Sequence, residues 1–105
     1  LGALRRLVIV RYSQRATADL QAIHDYLLLR SPKAALGVLT AIYAGIEFIL
    51  RHPQAAGATN IPSVRAKIVS RYRFKIFYRI LEADRVIEIV HLRLTSRRPW
   101  FGEES

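Results

Sequence analysis

"RSPKAALGVLTAIYAGIEFILRHP", Arg30 to Pro53, decides how this chain folds. Ser31 is a helix-capping residue. Pro32 behind it suits the first helical position, where its missing N–H would be unpaired in any case. From there Leu39, Ile42, Ile46 and Ile49 recur at helical spacing, and Val38, Tyr43 and Leu50 widen them to a stripe. Pro53 ends this helix at about His52. Upstream, Ser13 caps a helix from about Gln14 to Arg30, with Ala16, Leu20, Ile23 and Leu27 on its apolar side and Asp19, Gln21 and Asp25 toward water. The same "RSPK" that opens the second helix closes the first. A connection that short sets the two helices antiparallel.

Strands flank the hairpin. "LVIVRY", Leu7 to Tyr12, is β-branched and apolar and reads as a first strand rather than part of a signal peptide, because the apolar run is short and no cleavage site follows. "PQAAGATNIP", Pro53 to Pro62, is a loop by composition. Val64 to Arg71 then alternates, with Val64, Ala66 and Ile68 on one side and Arg65, Lys67 and Arg71 on the other. In the next strand Phe74, Ile76, Tyr78 and Ile80 share a face, opposite Lys75, Phe77 and Arg79. "EADR", Glu82 to Arg85, supplies a tight turn, and Val86 to Leu92 makes the last strand, with His91 in phase with Ile87 and Ile89. One strand, two helices and three strands predict an α+β fold, with a helical hairpin on one face of a mostly antiparallel sheet. The other face stays uncovered and is expected to present Arg65, Lys67, Arg71, Lys75 and Arg79. Residues 1–105 read as a single domain with a folded core over about 8–100 and flexible ends.

A chain of 105 residues can build a hydrophobic core without disulfides or metals. It has no cysteine, which excludes a disulfide scaffold and a cysteine nucleophile and fits a reducing cytoplasm. His24, His52 and His91 share no metal-ligand spacing, so no metal site is expected. The longest apolar stretch, Ala34 to Leu50, is interrupted by Gly37, Thr40, Gly45 and Glu47, which argues against a membrane span. The formal net charge is +9. Between Arg65 and Arg98 there are ten basic residues against Glu82, Asp84 and Glu88, so seven of those nine charges fall in one third of the chain. An imbalance of that size implies an anionic partner or a solvated basic face.

The basic third holds the candidate site residues. Of the 17 basic residues 14 are arginine, the side chain suited to paired contacts with carboxylates or phosphates. Arg93, Arg97, Arg98 and Trp100 make a compact Arg/Trp cluster of the kind that anchors interfaces, against the alternative of a frayed basic tail. Arg65 fits either a target contact or a structural ion pair with Asp19 or Glu88. Tyr78, in phase with Phe74 and Ile76, should be buried, which leaves Arg79 on the exposed side. His91 reads either as a partly buried histidine with one hydrogen bond or as a proton carrier.

In the order and spacing of its pieces the chain resembles the RelE/ParE superfamily of toxins, in particular the ParE-like, plasmid-stabilisation branch of type II toxin–antitoxin systems. The pieces are "YSQRATADLQAIHDYL" (Tyr12 to Leu27), "SPKAALGVLTAIYAGIEFILRHPQAAG" (Ser31 to Gly57), "VRAKIV" (Val64 to Val69), "FYRI" (Phe77 to Ile80) and "VIEIVHLRLTSRRPW" (Val86 to Trp100). The resemblance implies a RelE-like β-α-α-β-β-β fold, a cytoplasmic protein without cofactor, and a cognate antitoxin as partner. Operator DNA would be met only through the toxin–antitoxin complex, and no membrane is implied. It also implies one of two targets: DNA gyrase, poisoned by binding, or mRNA cut on the ribosome. For gyrase and antitoxin binding the candidates are Arg65, Lys67, Arg79, Arg93, Arg97, Arg98 and Trp100. For cleavage they are Arg65, His91 and Arg93, with Tyr72, Tyr78 and His91 as the groups able to move a proton. Trp100 or Phe101 stands where RelE-like enzymes often carry a titratable residue, which favours binding over cleavage. A non-toxic nucleic-acid-binding module is a third reading, and it lacks the aromatic platform of single-strand binders.

Overall fold

Two serines shape the helical hairpin. In the computed structural model, which describes residues 8–69, 71–81 and 85–94, Ser13 caps α1 (Gln14–Arg30), its hydroxyl accepting from the Ala16 N–H at 2.9 Å. Ser31 closes α1 and opens α2 (Pro32–Arg51) in extended backbone. Its N–H donates to Leu27 O at 2.7 Å and its hydroxyl accepts from the Ala34 N–H at 3.1 Å. A single residue therefore satisfies the last turn of one helix and the first turn of the next.

The hairpin packs on one face of a five-stranded sheet in the order β1-β5-β4-β3-β2. The strands are β1 (Ile9–Tyr12), β2 (Gly57–Ala58), β3 (Arg65–Val69), β4 (Phe74–Leu81) and β5 (Val86–Leu94). Every pairing is antiparallel except β1 with β5. The α+β class and the mostly antiparallel sheet are as expected. The two-residue β2, inside a stretch read as loop, adds an edge strand. The turn expected at Glu82 to Arg85 lies mostly outside the described residues.

The core lies between the helices and the sheet. From α2 it takes Ala35, Val38, Ile42, Gly45, Ile46 and Ile49. The buried stripe is thus turned slightly from the expected one, leaving Leu39 half-buried and Tyr43 50 % exposed. By length and composition alone α2 could cross a bilayer, an 18-residue window within it reaching a mean hydropathy of 1.6, contrary to the sequence expectation. Its most apolar side nonetheless lies on the sheet. Gly45 is where helix and sheet come closest: a Cβ there would sit 3.0 Å from Ile76 Cδ1 and 3.1 Å from Val69 Cγ2.

The face of the sheet on which each side chain stands departs from expectation at two places. In β3, Arg65 pairs with Tyr78, Lys67 with Ile76 and Val69 with Phe74. Cross-strand partners share a face, so Arg65 and Lys67 stand on the helix side, while Ala66 and Ile68 stand on the other. In β5, Val90 is an extra residue. Tyr78 pairs with Ile89 but Phe77 pairs with His91, so the ladder shifts there. Such a bulge inverts the alternation beyond it. Leu92 thereby returns to the core, and His91 leaves the phase of Ile87 and Ile89 to stand beside Phe77, on the side away from the helices.

Gly45→Leu should overpack this contact and lower stability by about 1–3 kcal/mol, read as a fall in the urea midpoint with an unchanged slope.

Candidate target-binding cleft

Beyond Ile89, β5 runs on without β1 beside it, and α1 ties its exposed edge. Ser13 Oγ donates to Val90 O at 3.0 Å. Asp19 Oδ2 accepts the Leu92 N–H at 3.0 Å and lies 2.7 Å from His91 Nδ1. Asp19 Oδ1 takes Arg15 Nε at 3.1 Å. Asp19, expected to face water, is therefore turned to the sheet, its side chain only 16 % exposed. The sequence carried a signal for this: Asp19 lies three residues after Ala16 and four before Ile23, on the apolar side of α1. Burial pushes the Asp19 carboxyl up, but the hydrogen bonds from His91, the Leu92 N–H and Arg15 outweigh it. The pKa falls below its ordinary 3.8.

His91 and Phe77 stack with ring centroids 5.3 Å apart and planes at 25°. Both are buried, at 4 % and 1 % exposure. The sheet face expected to be bare therefore has a buried aromatic centre. Around it Arg15, Ile61, Val64, Arg79 and Val90 enclose a cleft of about 270 Å³. Ile61 and Val64 come from the loop after α2. That loop is organised by Thr59, whose hydroxyl donates to Val64 O at 2.9 Å and accepts the Ile61 N–H at 3.1 Å. Arg79 Nη2 meets Glu88 Oε1 at 2.6 Å, so the cleft's two arginines each face a carboxylate.

The candidate cations divide between the two faces. Arg79 and Arg93 stand on the cleft side, Arg93 donating from Nη1 to Leu94 O at 2.9 Å. Arg65 does not join them. Its Nη1 donates to Ala56 O at 2.7 Å and Gln54 O at 3.3 Å, and its Nη2 to Gln54 Oε1 at 3.2 Å. The ion pair considered with Asp19 or Glu88 is replaced by these contacts to the loop. Lys67 Nζ lies 4.2 Å from the Phe48 ring centroid, on the α2 side. Tyr78 is fully buried and donates its hydroxyl to Pro53 O at 2.6 Å. Burial pushes its pKa above the ordinary 10.0, although Arg65 and a backbone hydrogen bond pull the other way. Tyr72 is half-buried beside Gly37, on the helix side. The trio Arg65, His91 and Arg93 is therefore split, and neither tyrosine reaches the cleft. Arg97, Arg98 and Trp100 lie outside the described residues. Phe77, Asp19, Arg15 and the Ile61/Val64 wall are site residues that strict strand alternation did not reveal. Among the described residues no three His, Cys, Asp or Glu side chains group as metal ligands.

Asp19→Ala removes the acceptor shared by His91 and the Leu92 N–H and should cost about 2–3 kcal/mol at neutral pH. Because the folded pKa is lowered, the Asp19 contribution is present above the unfolded carboxylate value and lost as pH falls through the folded one. The wild-type advantage over Asp19→Asn should shrink below about pH 4, as measured by urea unfolding at a series of pH values.

The profile of the ParE toxin of the type II toxin–antitoxin system parDE matches residues 10–99. The fold is similar to a chain of the chromosomal ParDE system from P. aeruginosa, with 26% identity, a TM-score of 0.72, and coverage of 86% of this chain and 98% of that one. The isolated E. coli RelE toxin aligns at 10% identity and a TM-score of 0.57, over 91% of this chain and 93% of its own. An E. coli RelE mutant in complex with an antitoxin RelBc peptide aligns at 10% and 0.60, over 86% and 85%. These two likenesses concern the fold. No curated protein matches the sequence significantly. With the family profile spanning nearly all of its length, this chain belongs to the ParE family of type II toxin–antitoxin toxins.

Proposed function

We propose that this toxin arrests growth by binding DNA gyrase rather than by cutting RNA, and that a cognate antitoxin encoded beside it neutralises it in the cytoplasm. The observation that carries the reading is the state of His91. Its Nδ1 is committed to Asp19, and its Nε2 is buried from solvent. A general base for RNA cleavage must come within hydrogen-bond reach of the attacking 2′-hydroxyl, and this imidazole is enclosed. The remaining cations cannot replace it, because arginine stays protonated. What the cleft offers instead is an aromatic and aliphatic floor rimmed by Arg15 and Arg79, suited to a protein side chain beside a carboxylate. Arg97, Arg98 and Trp100, which lie outside the described residues, remain candidates for the same role from the sequence alone.

The antitoxin fits the other side of the molecule. One groove of about 460 Å³ runs between Tyr12, Leu20, Leu39 and Tyr43. A second, about 430 Å³ and strongly apolar, lies along Ile23, Tyr26, Leu27 and Leu92. An amphipathic helix or an extended segment fits such grooves, and acidic residues on it would complement the +9 charge. The complex of E. coli RelE with an antitoxin RelBc peptide is a precedent in this fold.

One observation favours the ribosome-dependent endonuclease as second reading: a histidine oriented by a carboxylate beside two arginines is the arrangement of a held base. That site would use His91, Asp19, Arg79 and Arg93, without Arg65. Expression without the neighbouring gene separates the readings when plasmid topology and mRNA 5′ ends are taken from one culture. Relaxed plasmid with intact mRNA is the expected result. Cuts within translated codons at normal supercoiling would overturn it. Under the binding reading His91→Ala should lower stability and weaken gyrase affinity in step with growth arrest, whereas a nuclease would lose rate far more than affinity.

A further inference from the structure

Arg65 was a candidate for touching the target, and its geometry gives it a different task. Its guanidinium spans three acceptors on the segment that leaves α2: Gln54 O, Ala56 O and Gln54 Oε1. Tyr78 holds the same segment from the core through Pro53 O. The segment continues as β2, where Ala58 pairs with Arg65 itself and Gly57 with Ala66. It then rounds the sheet edge and is locked by Thr59. The Thr59 N–H donates to Val64 O at 3.2 Å, and the Val64 N–H donates to Ile61 O at 3.1 Å. Ser63 turns the chain back at φ 69°, a conformation costly for a residue with a side chain. The outcome is a wall, Ile61 and Val64, on the cleft side, tethered by an arginine on the helix side.

We infer that Arg65 is a positioning residue for target engagement: it fixes the Ile61/Val64 wall of the cleft from behind the sheet and does not meet the target. This rests on the reading of the cleft as the target-binding surface. A lone ammonium at this place would keep the charge but could not match the planar fork to three acceptors. Charge and geometry can therefore be separated.

The experiment measures amide hydrogen exchange on purified toxin, and growth arrest on expression without antitoxin, for Arg65→Ala, Arg65→Lys, Ile61→Asp and the double variant Arg65→Ala/Ile61→Asp. Expected are at least tenfold faster exchange over residues 55–64 in both Arg65 variants, unchanged protection in β4 and β5, and at least tenfold weaker arrest in all four. The double variant should be no weaker than Ile61→Asp alone, since both act on one wall. Three results would overturn the inference. One is an Arg65→Lys toxin that arrests growth normally while its loop exchanges fast. Another is an Arg65→Ala toxin that loses arrest with the loop still protected. The last is an Ile61→Asp toxin that arrests growth like wild type. If Arg65→Ala does not fold, Tyr78→Phe serves, since it removes the hydroxyl that holds the segment at Pro53 and Ala56 and leaves Arg65 in place. It should loosen the same loop and weaken arrest in step, and normal arrest with a loosened loop would again overturn the inference. Arrest is read whichever target is poisoned. Loop exchange and arrest that change together, without inhibition of purified gyrase, would support the positioning role while removing the gyrase reading.

Discussion

Val90 is one residue more than the β4–β5 ladder can pair, and α1 holds it in place. Ser13 bonds the Val90 carbonyl, and Asp19 takes both the Leu92 N–H and the His91 imidazole. An uncovered strand edge would otherwise expose these groups to water or to another chain. The bulge sends Leu92 into the core and His91 to the far face, where Phe77 stacks on it. Were β5 regular, a histidine would enter an apolar core and a leucine would leave it. The helix start, the last strand and the cleft are thus joined through one carboxylate and one hydroxyl.

The same economy shows on the other flank. The loop after α2 is held by hydrogen bonds from Arg65 and Tyr78 and within itself by Thr59. A half-buried arginine that meets two carbonyls and an amide, with no carboxylate partner among the described residues, gives direction rather than ion-pair energy. Under the binding mechanism proposed above that hold has a purpose, since a preformed surface loses less freedom on contact than a mobile one.

Charge is distributed less simply than the net +9 implies. Arg15 and Arg79 at the cleft are each matched by Asp19 or Glu88, and Arg65 and Lys67 are turned inward to backbone and ring acceptors. Near the cleft, shape and the aromatic floor are therefore more prominent than bare positive charge.

The sequence by itself determined the two helices and their order among the longer strands, but nothing of the two-residue β2. Ser13, Ser31, Pro32 and Pro53 mark helix ends through local backbone chemistry, and the Ile42/Ile46/Ile49 spacing marks the buried side of α2. The burial of Tyr78 was legible too, because Phe74 to Ile80 keeps an unbroken period of two. Which face β3 presents was not legible. Val64 to Val69 alternates plausibly in either sense, and only its pairing with β4 chooses, because a one-residue change of register exchanges the faces. The position of His91 was hidden for a related reason: a bulge is a property of two strands and the helix that clasps them. Asp19 shows both sides. Its spacing already put it on the inner side of α1, but only the tertiary structure brought it within 2.7 Å of a histidine 72 residues away.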